Sequence, residues 1–265
     1  MFSSITSFIN GFRNDFTGSL ITLGYLTVVI LFSLIIHECA HGYVALKCGD
    51  PTAKMLGRLT LDPRKHLDPI GTICMVFLRF GWAKPVPVNP RNFRNYRRDY
   101  ILVSLAGIIT NLCVCMISLM ISAILAKMIW SNEIIEYLSS TSQKDLMLNI
   151  YEGNLPYRVY SGNFSEVSQF ANGTAWMYVQ RLFLMLAQMN LGLAVFNLLP
   201  VPPLDGFRFM DQFVFKGQLR LTPQTMQYIH IGFLVICMSG MLSGLLTTVN
   251  STVFGWLCQL FAMII

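Results

Sequence analysis

The chain has 265 residues, of which 54% are hydrophobic and only 12% charged, and its formal net charge is +6. That balance excludes a soluble domain built around one large core and describes a polytopic membrane protein. The basic excess is read as a report on orientation across a bilayer rather than as a nucleic-acid-binding surface.

Residues 1–18 are amphipathic, with Phe2, Ile5, Phe8, Ile9 and Phe12 set among Ser and Asn. They lack the charged start of a cleavable signal peptide and are expected to lie flat at the membrane surface. Four apolar stretches, about 19–46, 101–129, 176–199 and 227–247, are long enough to span. A fifth, 253–265, is short for a span and is read as interfacial or tilted. The segment Ile70–Phe80 would reach only about 16 Å as a helix, too little to cross. Residues 47–100 therefore form one region on a single side. Within it Met55–Leu61 suits a strand, and Pro85, Pro87 and Pro90 suit an edge strand or a re-entrant loop, because proline cannot donate to a ladder. The expected fold is membrane all-α: one domain over 1–265, a polytopic helical bundle of 4–5 transmembrane helices with a small re-entrant/β region on the cytoplasmic side.

Charge sets the orientation. Residues 47–100 hold eleven of the nineteen Lys and Arg, whereas 131–175 hold two basic and five acidic residues. Residues 201–227 hold three basic and two acidic ones. The positive-inside rule then puts 47–100 and 201–227 in the cytoplasm, and 131–175 and the amino terminus outside. Arg91, Arg94, Arg97 and Arg98, with Tyr96, read as an anchor on anionic lipid.

The first apolar stretch contains His37-Glu38-Cys39-Ala40-His41. Ionisable groups inside a span cost several kcal/mol unless they have a partner. Residues i and i+4 share one face of a helix, so His37 and His41 can bind one Zn²⁺ together. Glu38 is then placed to take a proton from an attacking water. By helical rise His37 lies about 27 Å into the first span, near its cytoplasmic end. The third span ends on the same side, in Asn197-Leu198-Leu199-Pro200-Val201-Pro202-Pro203-Leu204-Asp205-Gly206. Three prolines stop the helix there, and Asp205 can complete a His₂Asp site that leaves the fourth zinc position open. His66, in a His-Leu-Asp-Pro turn, is read as a solvated turn residue, and His230 has no partner at metal-binding spacing.

With these motifs the chain resembles the site-2 proteases, the intramembrane zinc metalloproteases. His37 to His41 fit the first metal-binding motif of that family, and Asn197 through Pro200 to Asp205-Gly206 fit the second. Gly107-Ile108-Ile109-Thr110-Asn111 fits the glycine-to-asparagine motif of the intervening helix, with Ile108 where many members have proline. Gly81-Trp82-Ala83-Lys84-Pro85-Val86-Pro87-Val88-Asn89-Pro90 resembles a segment of the compact members, those without PDZ or cystathionine-synthase-like domains. The resemblance implies His37, His41 and Asp205 as ligands of one zinc per chain and Glu38 as catalytic base. It also implies Asn111 and Asn197 as groups that bind substrate backbone or stabilise an oxyanion.

The expected activity is a zinc-dependent endopeptidase acting on transmembrane or membrane-adjacent segments of other proteins. The setting is a multi-pass protein of a prokaryotic cell membrane, with its site near the cytoplasmic side, lipid around it and no nucleic acid as partner. The alternative is a non-enzymatic metal-binding membrane protein or transporter. A transporter should show internal repeats, and it has no need of a Glu beside the first His.

Overall fold

Asp15 accepts a hydrogen bond from the Gly18 N–H at 2.9 Å and opens α1 (Phe16–Cys48). Gly49 closes it at φ +110°, a left-handed conformation that a side chain would strain. After the single turn of α2 (Thr52–Met55) come α3 (Tyr96–Ile129), α4 (Thr174–Asn197), α5 (Asp205–Phe213), α6 (Pro223–Ser239) and α7 (Met241–Ile264). This is a computed structural model, and it describes residues 13, 15–68, 71, 83–130, 172, 174–219 and 222–264. The expectations for residues 1–12, for most of Ile70–Phe80 and for most of the loop 131–175 lie outside those residues.

Three of the described helices, α1, α3 and α4, are long and apolar enough to cross a membrane. Their outward faces stay apolar, with Val28 and Phe32 of α1 and Ile109, Ile117 and Ile124 of α3 exposed, as a lipid-facing surface requires. Their inward faces carry small residues that let helix axes approach. Cys115 and Leu119 of α3 meet Ala187 and Leu191 of α4, and Val253, Phe254 and Leu257 of α7 pack on that cluster. On α1 the buried positions Val29, Ser33, His37, His41 and Ala45 recur every fourth residue, so one stripe of the helix faces the bundle.

Polar bonds fix the rotation of that stripe. The fully buried Asn190 of α4 donates through Nδ2 to Ser33 Oγ at 2.8 Å, one turn before His37. Farther out, Arg181 Nη2 donates to Thr22 Oγ1 at 2.9 Å and Tyr25 Oη to the Tyr178 carbonyl at 2.9 Å. Between α3 and α4, Gln180 Nε2 donates to the Ser122 carbonyl at 3.2 Å.

Two expectations are revised. Met55–Leu61 does not form a strand, and the β pairing in this region is an isolated antiparallel bridge between Leu67 and Ala83. The backbone there is satisfied locally: Met55 ends a helical turn, Gly57 has φ +60°, and the Arg58 N–H returns to the Ala53 carbonyl at 2.9 Å. The stretch 227–247 is likewise not one helix, because Gly240 at φ +79° separates α6 from α7. The carboxy-terminal apolar segment is thereby the second half of the 24-residue α7, about 36 Å long by helical rise. Ile108, in place of a proline, leaves α3 continuous and is itself buried.

Beyond α1 the chain is tied down by Asp50, which is fully buried. Its Oδ1 accepts from the Thr52 N–H, the Thr52 hydroxyl and Asn92 Nδ2, and its Oδ2 accepts from the Asn89 N–H at 2.7 Å. Burial works to raise this carboxyl, but the four donors outweigh it and hold it below the usual carboxylate range. The folded value being depressed, this stabilisation is present above the ordinary carboxylate pKa and is lost as pH falls through the folded one.

The Asn190–Ser33 bond gives a stability prediction. Ser33→Ala should lower the free energy of unfolding in mixed micelles by about 0.6 kcal/mol, the average measured for interhelical bonds in membranes, and by no more than about 1.7 kcal/mol. An unchanged denaturation midpoint would show that the bond contributes nothing to helix packing.

Candidate metal centre

Three elements meet at one point. α1 supplies His37 and His41, α5 supplies Asp205 at its first position, and α3 passes behind the two imidazoles. His41 Nε2 lies 3.1 Å from His37 Nε2 and 3.1 Å from Asp205 Oδ2, and His37 Nε2 lies 3.3 Å from the same oxygen. All three residues are buried.

The far side of each ring fixes its proton. His41 Nδ1 is 2.7 Å from the Val103 carbonyl, which only accepts, so Nδ1 carries the hydrogen and in the neutral ring Nε2 carries a lone pair. His37 Nδ1 faces the side-chain amide of Asn111 at 3.1 Å. Asn111 is fully buried, and its Oδ1 has no partner in the orientation drawn. Amide oxygen and nitrogen are assigned from the network around them. Turning the amide over lets Oδ1 accept the His37 Nδ1–H, leaving a lone pair on His37 Nε2 as well.

Two imidazole lone pairs and a carboxylate oxygen then point at one another with no hydrogen between them. Such a triangle repels itself unless a cation sits at its centre. Ligands about 2.0–2.1 Å from a tetrahedral zinc are separated by about 3.3 Å, close to the three observed edges, so the donor set fits zinc with one vertex open.

Local sequence explains the close approach. A Cβ on Gly107 of α3 would sit 2.4 Å from His37 Cε1 and 2.5 Å from His41 Nε2. One on Gly206 would sit 2.2 Å from the Leu198 carbonyl oxygen, so the turn after α4 can fold back and aim Asp205 at the histidines only with glycine there. Asn197 is not drawn into this group: its Nδ2 donates to the Leu193 carbonyl of its own helix at 3.0 Å. His66, expected to be solvated, is instead buried, with Nε2 2.8 Å from the Thr60 carbonyl and 3.9 Å from Cys39 Sγ. His230 is exposed on α6. Neither joins a metal-binding group among the described residues.

Glu38 stands beside the triangle, half-buried, and its Oε2 accepts the Val86 N–H at 2.7 Å. Sequence reasoning missed this contact. The signal available was the alternation Pro85-Val86-Pro87, which leaves Val86 as the lone main-chain donor of the three.

A buried His₂Asp cluster with a neighbouring carboxylate, set among membrane-crossing helices, defines a membrane metallopeptidase. The sequence matches the profile of Peptidase family M50 over residues 25–240, and the chain belongs to that family, whose members are the site-2 proteases. It is 35% identical over 212 residues to YwhC of Bacillus subtilis (strain 168), provisionally named a zinc metalloprotease, covering 80% of this chain and 79% of that one. It is 26% identical over 220 residues to Rip2 of Mycobacterium tuberculosis (strain ATCC 25618 / H37Rv), named in the same way, covering 81% of this chain and 66% of that one. No solved structure matches. The protein is thus a multi-pass membrane zinc metallopeptidase.

The gap at Gly107 is directly testable. Gly107→Ala should weaken zinc binding by about 10- to 100-fold, the scale of losses when support around a metal ligand is disturbed, with helical content unchanged. Wild-type affinity, measured by competition with a chromophoric chelator, would mean that the histidines do not rest on this glycine.

Proposed function

We propose that this protein is an intramembrane endopeptidase, in which His37, His41 and Asp205 hold one Zn²⁺ and Glu38 is the general base. The reading rests on one observation: three ligand atoms of His37, His41 and Asp205 converge within 3.3 Å, and a carboxylate stands one residue along the same helix. When bound, the ion would polarise a peptide carbonyl and acidify water. Glu38 takes the proton of the attacking water and delivers it to the departing amine. Asn111 holds the His37 ring in the tautomer that presents Nε2, which favours a supporting role over direct contact with substrate. Asn197, at the mouth of the turn, is the remaining candidate for a donor to the substrate backbone.

The basic residues of 47–100 support the cytoplasmic side for this site, with 131–175 outside and four or five spans in all. A cavity of about 420 Å³ between α1, α4 and α7 supports a membrane-embedded substrate. Leu26, Val29, Met189, Phe196 and Asn250 are among the residues lining it. Val29 lies two turns before His37 on the same buried stripe, and Phe196 adjoins Asn197.

Glu38→Gln tests the base. The variant keeps shape and ligands, so zinc should stay bound while turnover falls by at least about 10²-fold. Uncut substrate should co-purify with it. A zinc-loaded Glu38→Gln protein that cleaves at the wild-type rate would contradict the proposed mechanism.

A further inference from the structure

Residues 84–89 have no regular secondary structure, yet they are fastened along their length. At the start, the Lys84 N–H donates to the His66 carbonyl at 2.8 Å, beside the Leu67–Ala83 bridge. In the middle, Arg58 Nη2 donates to the carbonyls of Lys84 and Pro85 at 2.8 and 3.2 Å. At the end, the Asn89 N–H is held by Asp50 Oδ2, and the Arg94 N–H by the Cys48 carbonyl at the close of α1. The centre of this segment is Val86. Its side chain is buried against α1, where a Cβ on Gly42 would approach Val86 Cγ1 to 2.9 Å. Gly42 lies four residues after Glu38, so the glycine opens the groove beside the carboxylate. In that seat the Val86 N–H meets Glu38 Oε2. Prolines on both sides fix their own φ and offer no competing N–H.

The segment therefore begins and ends on anchors near the metal helix and spends its one central donor on Glu38. A glutamate beside a divalent cation has two places to go: into water's reach, or onto the ion as an extra ligand. A bond to Oε2 leaves Oε1 for the water and keeps the group out of the ligand cluster, which contains His37, His41 and Asp205 without it. Small misplacements of such a group are expensive in rate.

We propose that residues 83–89 are a main-chain clamp on Glu38, set by the buried Asp50, and that Val86 through its N–H and Asp50 through Asn89 are positioning residues for hydrolysis. The clamp rests on the reading of Glu38 as base, and the test separates the two. Val86 is replaced by its α-hydroxy acid analogue, which turns the Pro85–Val86 amide into an ester and deletes the single N–H without changing the side chain. Asp50→Asn puts an NH₂ where Oδ2 accepts the Asn89 N–H, while Oδ1 keeps its donors. Kinetics use a quenched-fluorescent transmembrane peptide that the wild-type chain cleaves, with zinc content measured on the same samples.

The ester should lower kcat by about 10-fold or more, with KM within about threefold of wild type and one zinc per chain retained. Asp50→Asn should lower kcat in the same way, and adding it to the ester should cost little more, because both act through one hydrogen bond. A general packing defect would add to the ester instead. A kcat at or above wild type in the ester variant overturns the clamp, and so does a rise in KM alone, which would make the segment a substrate contact only. In either case an inactive, zinc-loaded Glu38→Gln leaves the general base standing. A fully active Glu38→Gln removes the base and the clamp together.

Discussion

Three lone pairs facing one another, on His37 Nε2, His41 Nε2 and Asp205 Oδ2, are what the rest of this structure is arranged around. Three acceptors 3.1–3.3 Å apart in an apolar bundle repel one another unless a cation lies between them. The convergence is set from behind, since the Val103 carbonyl fixes the proton of His41 and Asn111 can fix that of His37. Both partners lie on α3, so the helix that crowds the site also determines which nitrogens face it.

That crowding explains why glycine and small residues matter more here than large apolar ones. Gly107 lets α3 reach the two rings, Gly206 lets the chain turn back so that Asp205 heads α5, and Gly42 lets Val86 settle beside Glu38. Farther along α1, Ser33 and Asn190 set the rotation of the helix one turn before the first histidine. Helix packing and ligand geometry are thus one problem, in which a rotation of α1 would carry His37 and His41 away from Asp205 together.

The candidate metal cluster was legible in the sequence because its signals are local. His37 and His41 obey the four-residue repeat of one helix, and Asp205 stands just past a proline-marked helix end. The spans α1, α3 and α4 were legible from length and apolarity alone. What could not be read was set by contacts distant in sequence or by the torsions of single residues. The Val86 N–H finds Glu38 across 48 residues, and nothing in Pro85-Val86-Pro87 names its acceptor. Met55–Leu61 carries strand-forming residues, but Asp50 and Gly57 commit the backbone to turns first. The stretch 227–247 reads as one span, whereas the left-handed φ of Gly240 ends α6 and begins α7. His66 looked like a surface turn because its burial depends on the return of residues 83–84 over it.

The central claim is that these three side chains hold zinc with one position open. X-ray absorption at the zinc edge of the purified, zinc-loaded chain tests it most directly. The expected spectrum has four nitrogen or oxygen neighbours at about 2.0–2.1 Å, with the multiple-scattering signature of two imidazoles and no sulfur. Asp205→Ala should lose one oxygen neighbour or the metal itself. A sulfur neighbour at about 2.3 Å would move the ion toward Cys39 and contradict the account.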